Sequence, residues 1–144
     1  MKTVAQILKS KGNEVYTIRP EAFIYEALQL MAEKGVGGLV VMSDKQVVGI
    51  FTERDHVRKV DIAGLCSHRA LVSQVMSTEV CYITPQTTVD EGMALMTDNR
   101  CRHLPVVDDN QLVGLVSIGD LVKASLDEKE FVIEQLKRYI QDGQ

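Results

Sequence analysis

Apolar residues recur along this chain in two rhythms, and the same succession of rhythms occurs twice. Val15–Ile18 and Val80–Ile83 are short β-prone pieces stopped by Pro20 and Pro85, whose rings cannot donate to a ladder. Helical spacing follows, with Ile24, Ala27, Leu28 and Met31 in one place and Val89, Gly92, Met93 and Met96 in the other. Thr88 with Glu91 has the capping-box pattern, whereas Phe23 stands where the first helix would need the hydroxyl. Two β-rich runs come next: Leu39–Met42 then Val47–Phe51, and Leu104–Val107 then Leu112–Val116. Ser43-Asp44-Lys45 and Asp108-Asp109-Asn110 separate them, which predicts tight hairpins. Asp55 and Asp120 are expected to open a second helix, where a carboxylate is favourable. Each copy therefore reads β-α-β-β-α. Asp127–Gln141 predicts a further amphipathic helix, with Val132, Leu136, Tyr139 and Ile140 on one stripe.

The two halves also match residue for residue. A shift of 65 aligns Val15–Val57 with Val80–Val122 without a gap, and 14 of the 43 positions are identical. A shorter echo precedes each copy: Val4-Ala5-Gln6-Ile7-Leu8 and Val72-Ser73-Gln74-Val75-Met76. The chain is a tandem duplication. One unit of about 60 residues buries little core alone. The expected fold class is therefore α+β, two repeats packed around a pseudo-two-fold axis with an added C-terminal helix. In chain order the boundaries are 1–60 for the first repeat with its N-terminal helix, 61–71 for a linker, 72–124 for the second repeat and 125–144 for the tail helix.

Charge and composition narrow the function classes. The 144 residues carry 16 Lys+Arg against 20 Asp+Glu, a formal net charge of −4. Nucleic-acid binding needs a strongly basic face, so it is disfavoured. The longest apolar runs fall far short of the roughly 20 residues that cross a bilayer, and Lys9 and Lys11 interrupt any signal-like start. The expectation is a cytoplasmic protein away from membranes. Cys66, Cys81 and Cys101 are odd in number and lack a disulfide spacing, which suits small, inert buried thiols.

The residues with chemical promise end each hairpin. Gly49-Ile50-Phe51-Thr52-Glu53-Arg54-Asp55 and Gly114-Leu115-Val116-Ser117-Ile118-Gly119-Asp120 share the order Gly, two apolar residues, a hydroxyl, two variable residues, Asp. A hydroxyl beside a helix N-terminus suits phosphate, and a carboxylate can accept both hydroxyl protons of a ribose. The simpler reading is that hydroxyl and Asp only cap the helix. Two copies in register favour a nucleotide.

The chain resembles a tandem CBS-domain protein, or Bateman module, over almost all of Thr3–Ala124. The resemblance rests on the Val-x-x-Ile-x-Pro openings, the Leu-Val-Val-Met and Leu-Pro-Val-Val strands and both Gly-x-x-Thr/Ser-x-x-Asp ends. It implies two clefts between packed repeats that bind adenosine compounds such as AMP, ADP, ATP, S-adenosylmethionine or NAD(H), and a flat homodimer. Carried over by motif, Asp55 and Asp120 would hold riboses, Thr52 and Ser117 phosphate or ribose oxygens, and Ile50 and Leu115 would line adenine slots. The partner repeat would add Arg19 and Thr84, and the openings of the second strands, Gly37-Gly38 and Arg102-His103. Arg54, Arg58 and Lys59 after the first motif, and Arg100, Arg102 and His103 before the second hairpin, are the cations available to phosphate. The copies differ most at these strand openings, so the two sites are expected to be unequal.

Cys66-Ser67-His68 and Cys101-Arg102-His103 are two Cys-x-His pairs, but Cys-x-His is not a standard zinc spacing and inert thiols are favoured. No nucleophile–base order, phosphate loop or carboxylate pair indicates catalysis. The expected function is a regulatory module that senses an adenine nucleotide and signals through association with an unidentified protein partner. The alternatives are a purely structural dimerisation module or a metal or thiol sensor.

Overall fold

The computed structural model describes residues 1–142; Gly143 and Gln144, the end of the expected tail range, lie outside the described residues. The chain forms two compact units. One contains Glu14–Val80 with Asp109–Val113, the other Met1–Asn13, Cys81–Asp108 and Gly114 onward.

In the first of these, β1 (Thr17–Ile18) runs parallel to β2 (Gly38–Ser43), which pairs antiparallel with β3 (Gln46–Thr52). Helix α2 (Ile24–Lys34) makes the crossover from β1 to β2 and ends at Gly35, whose φ of 65° is left-handed. The β2–β3 turn is a two-residue loop in which Asp44 and Lys45 have φ values of 48° and 70°. Paired left-handed residues give the twist that joins adjacent antiparallel strands. The expected second helix is a short α3 (Glu53–Asp55) that widens into a π-helical stretch, His56–Asp61. Ile24, Ala27 and Met31 of α2 face Leu39, Val41 and Phe51 of the sheet, and Val60, Val72 and Val75 close that core.

The second unit repeats the plan with α5 (Val89–Asn99), β4 (His103–Asp108), β5 (Gln111–Ser117) and α6 (Ile118–Asp142). Its capping box forms as expected: the Glu91 amide donates to Thr88 Oγ1 at 3.1 Å and the Thr88 amide to Glu91 Oε1 at 3.3 Å. In the first copy only half survives, the Phe23 amide donating to Glu26 Oε2 at 2.8 Å. The β-prone piece expected over Val80–Ile83 shrinks to a single parallel bridge, Ile83 to Val106. The reason lies opposite it. Val40 of β2 donates its amide to Tyr16 at 3.3 Å, but its counterpart in β4 is Pro105, which has no N–H.

Two features of the fold are not apparent from chain order. The tail helix does not start anew at Asp127: α6 runs unbroken from Ile118 to Asp142, because after Gly119 nothing in its sequence interrupts a helix. The N-terminal helix α1 (Val4–Lys11), grouped by chain order with residues 1–60, lies in the unit of the second repeat. Its backbone docks there, with Val4 donating to Thr87 at 2.9 Å, Ala5 to Pro85 at 2.8 Å and Val89 to Lys2 at 3.0 Å. The echo segment α4 (Val72–Val75) makes the same three bonds to the first repeat: Val72 to Ala22, Ser73 to Pro20 and Ile24 to Ala70, at 2.9–3.0 Å.

These docked segments explain the motif glycines. A Cβ on Gly49 would stand 2.8 Å from Met76 Sδ and 2.9 Å from the Ser77 carbonyl oxygen; on Gly114 it would meet Leu8 Cδ2 at 2.6 Å. Gly49→Ala is expected to cost about 1–3 kcal/mol, because the clash includes backbone. Gly119→Ala meets only Ser117 Oγ at 3.6 Å and should be neutral or slightly stabilising in its helix. Denaturant titration of the two variants checks this; equal midpoints would reject it.

Candidate functional site

Each hairpin delivers its hydroxyl to the start of the following helix, and the carboxylate three residues on closes a reciprocal cap. The sequence expectation put Asp at the helix start. In fact Thr52 is the N-cap and Asp55 the third helical residue. The Asp55 amide donates to Thr52 Oγ1 at 3.3 Å, while the Thr52 amide and hydroxyl donate to Asp55 Oδ2 at 3.0 and 3.2 Å. In the second copy the Ser117 amide donates to Asp120 Oδ2 at 2.9 Å and the Asp120 amide to Ser117 Oγ at 3.2 Å. Both carboxylates are thus aimed by local sequence.

The strand openings lie alongside. Gly38 pairs with Thr52, and the Glu53 amide donates to the Gly37 carbonyl at 3.1 Å. The Ile118 amide makes the equivalent bond to the Arg102 carbonyl at 2.9 Å, and His103 begins β4. So Gly37, Gly38, Ile50, Thr52, Arg54 and Asp55 are brought together in one unit, and Arg102, His103, Leu115, Ser117 and Asp120 in the other. Arg19 and Thr84 are exposed and belong to turns, where the Arg19 carbonyl accepts from Ala22 and the Thr84 amide donates to Thr87 Oγ1.

Three further groups complete the two carboxylate sites: Ser77 and Lys11, which the sequence did not point to, and Lys59, expected only as a cation for phosphate. Lys59 Nζ lies 3.1 Å from Asp55 Oδ1 and also donates to the Val75 carbonyl at 3.1 Å. Ser77 Oγ donates to the same Oδ1 at 3.3 Å, and its backbone pairs both ways with Ile50, at 3.0 and 2.8 Å. Asp55 is accordingly buried, 8% exposed, with donors on both oxygens. In the second copy Lys11 of α1 reaches Asp120 Oδ2 at 2.6 Å and the Leu115 carbonyl at 3.0 Å. Here the donors converge on one oxygen, and the Asp120 side chain keeps 24% of its surface exposed. Burial pushes the Asp120 carboxyl up, but the hydrogen bonds from Lys11 and Ser117 and the Lys11 charge outweigh it and hold the group below the usual aspartate value. The i,i+4 spacing of Asp55 and Lys59 could have been read in advance. Nothing in linear spacing links Lys11 to Asp120.

Among the described residues no group of three or more His, Cys, Asp or Glu side chains is placed to hold an ion. His68 instead stacks on Tyr25 with ring centroids 4.2 Å apart. Cys101 is half-buried, and burial together with the Cys81 thiol pushes its pKa up, opposite to a reactive thiolate. Among the described residues no helix is long and apolar enough to cross a membrane.

The CBS domain matches twice, over residues 4–58 and 72–127, the same two segments that carry the docked helices and the paired motifs. The chain belongs to the CBS-domain family. The CBS domain-containing protein CBSX3, mitochondrial, of Arabidopsis thaliana is 37% identical over 98% of this chain and 73% of its own length. A solved CBS-domain protein of Burkholderia ambifaria MC40-6 is 48% identical with a TM-score of 0.85, covering 88% of this chain and 95% of that one. The CBS domain pair of MJ0100, solved with 5′-methylthioadenosine and S-adenosyl-L-methionine, shares the fold at 22% identity and a TM-score of 0.74, covering 85% of this chain and 98% of that one.

Proposed function

We propose that this CBS-domain protein is a cytoplasmic regulatory module that binds an adenine nucleotide, AMP, ADP, ATP or NAD(H), and passes the signal on through association, acting as a homodimer with an unidentified protein partner. The observation that carries the reading is the pair of capped carboxylates, each fixed beside a strand end with a hydroxyl and a lysine in reach. Asp120 and Asp55 are the ribose acceptors, Ser117 and Thr52 the oxygen ligands, and Leu115 and Ile50 the adenine neighbours. Arg102 and His103, with Arg54, Gly37 and Gly38 in the other copy, face the phosphates, and Arg19 and Thr84 contribute from their turns. The adenosine ligands of MJ0100 support the ligand class.

Adenine is expected to bind better than guanine. Apolar walls and backbone groups match a purine edge that bears an amino donor. Guanine presents a carbonyl and an N–H in the reverse sense and would leave buried polar groups unpaired. Thermal shift against AMP, ATP, NADH and S-adenosylmethionine tests the reading, since a ligand at 100 times its dissociation constant adds about 2.7 kcal/mol of stability. Competition then compares AMP with GMP. Equal potency of the two, or no shift with any adenosine compound, rejects it.

A further inference from the structure

The last turns of α6 are covered by none of the described residues. Every described residue from Lys129 to Asp142 is exposed, although this stretch carries Phe131, Val132, Ile133, Leu136, Tyr139 and Ile140 at 50–77% exposure. A solitary helix of that length is marginal in water, and an apolar stripe on it marks a contact surface.

The stripe has the spacing of a coiled-coil seam. Leu126, Lys129, Ile133, Leu136 and Ile140 succeed one another at intervals of three, four, three and four residues. Val132 and Tyr139 widen one edge of the seam; Glu130 and Lys137, seven residues apart, line the other. This arrangement selects its own occupant. If two such helices ran parallel, Lys129 would face Lys129 inside the seam, and Glu130 and Lys137, both on the same edge, would lie on opposite sides of it from their copies and could not pair. If they run antiparallel and centred between Ile133 and Leu136, Ile133 packs on Leu136 of the other copy and Lys129 lies against Ile140 with its ammonium free to reach solvent. Glu130 then meets Lys137 of the other copy, and the two-fold axis repeats that pair.

We infer that the exposed seam Leu126–Ile140 of α6 is the docking surface for a second copy of this chain, joined antiparallel with Glu130 opposite Lys137. The inference rests on the homodimer reading above and supplies its mode. It asks nothing of the nucleotide.

Multi-angle light scattering and sedimentation of the full chain at micromolar concentration, at low and high salt, test it. The wild type should have twice the chain mass. A chain truncated after Leu126 should be monomeric. Glu130→Lys and Lys137→Glu, both at exposed positions, should each raise the dissociation constant on the order of tenfold at low salt, because each makes two like-charge contacts per dimer. An equimolar mixture of the two variants should recover wild-type affinity as a heterodimer, since each chain then supplies the charge the other lacks. A monomeric wild type overturns both the homodimer reading and this inference. A truncated chain that remains dimeric overturns the inference alone. Charge variants that assemble like the wild type, or fail to rescue one another, overturn the antiparallel register; circular dichroism showing an intact helix content excludes misfolding as their cause.

Discussion

Replacing Asp120 with alanine is expected to weaken adenine-nucleotide binding about tenfold or more, and to weaken it further than Asp55→Ala does. The two carboxylates look interchangeable in sequence, but their surroundings differ. Asp55 is filled from within: Thr52 donates to one oxygen, and Ser77 and Lys59 to the other. Ser77 Oγ stands to Asp55 as a ribose hydroxyl would, and the backbone of Ser77 also takes the amide and carbonyl of Ile50, the candidate adenine neighbour. A ligand at this motif must displace those bonds. At Asp120 the Ser117 amide and the Lys11 ammonium share Oδ2, the side chain is less buried, and Arg102 and His103 stand at the neighbouring strand opening. A hydroxyl bound to an ionised carboxylate contributes about 1.5–3 kcal/mol, which corresponds to the tenfold or larger loss. Isothermal calorimetry on both variants decides the matter. Loss of the tight phase in Asp55→Ala with the tight phase retained in Asp120→Ala would reverse the assignment. The same structure predicts the opposite order for stability, because Asp55→Ala removes the more buried carboxylate, which is bonded on both oxygens, whereas Asp120 is the more solvent-screened of the two.

Phe51→Ala should be the most damaging core substitution, with a loss of about 3–5 kcal/mol. Phe51 is the largest fully buried side chain and lies in β3 between Ile50 and Thr52. It belongs to one buried cluster with Leu39 of β2, Met31 of α2 and Val72 of the docked α4, so the cavity would open in a core that three elements share. In a domain of this size such a loss is a large part of the total stability. Chemical denaturation of the variant checks it, and a change below about 1 kcal/mol would mean that the site collapses around the missing ring. Because Phe51 precedes Thr52, weakened nucleotide binding in the surviving folded fraction would further show that the sheet core positions the cap.

Local features were legible in the sequence because they are set by neighbours a few positions away. The hairpin turns follow from two residues that tolerate left-handed backbone, Asp44-Lys45 and Asp109-Asn110. The Thr88–Glu91 box follows from an interval of three, and the duplicated Gly-x-x-Thr/Ser-x-x-Asp pattern places a hydroxyl and a carboxylate at one helix start whatever surrounds them. Even the failure of a full strand at Val80–Ile83 has a local cause, the missing N–H of Pro105, though reading it requires knowing which strand lies opposite.

What tertiary structure decided is everything that depends on which distant segments meet. Periodicity gave α1 and α4 as echoes of one another, but not that α1 lies against Thr84–Val89 while α4 lies against Pro20–Ile24. Helix propensity is indifferent to whether α6 pauses near Asp127, so its unbroken length and its uncovered seam emerged only with the fold. The occupants of the two carboxylates are the sharpest case. Lys11 and Asp120 are 109 residues apart, Ser77 and Asp55 are 22 apart, and neither interval corresponds to a helical turn or a strand pair. A hydrogen bond of that kind exists only because backbone docking has already brought the chains together, so the duplicated motif is a property of the sequence and the difference between its two copies is a property of the packing.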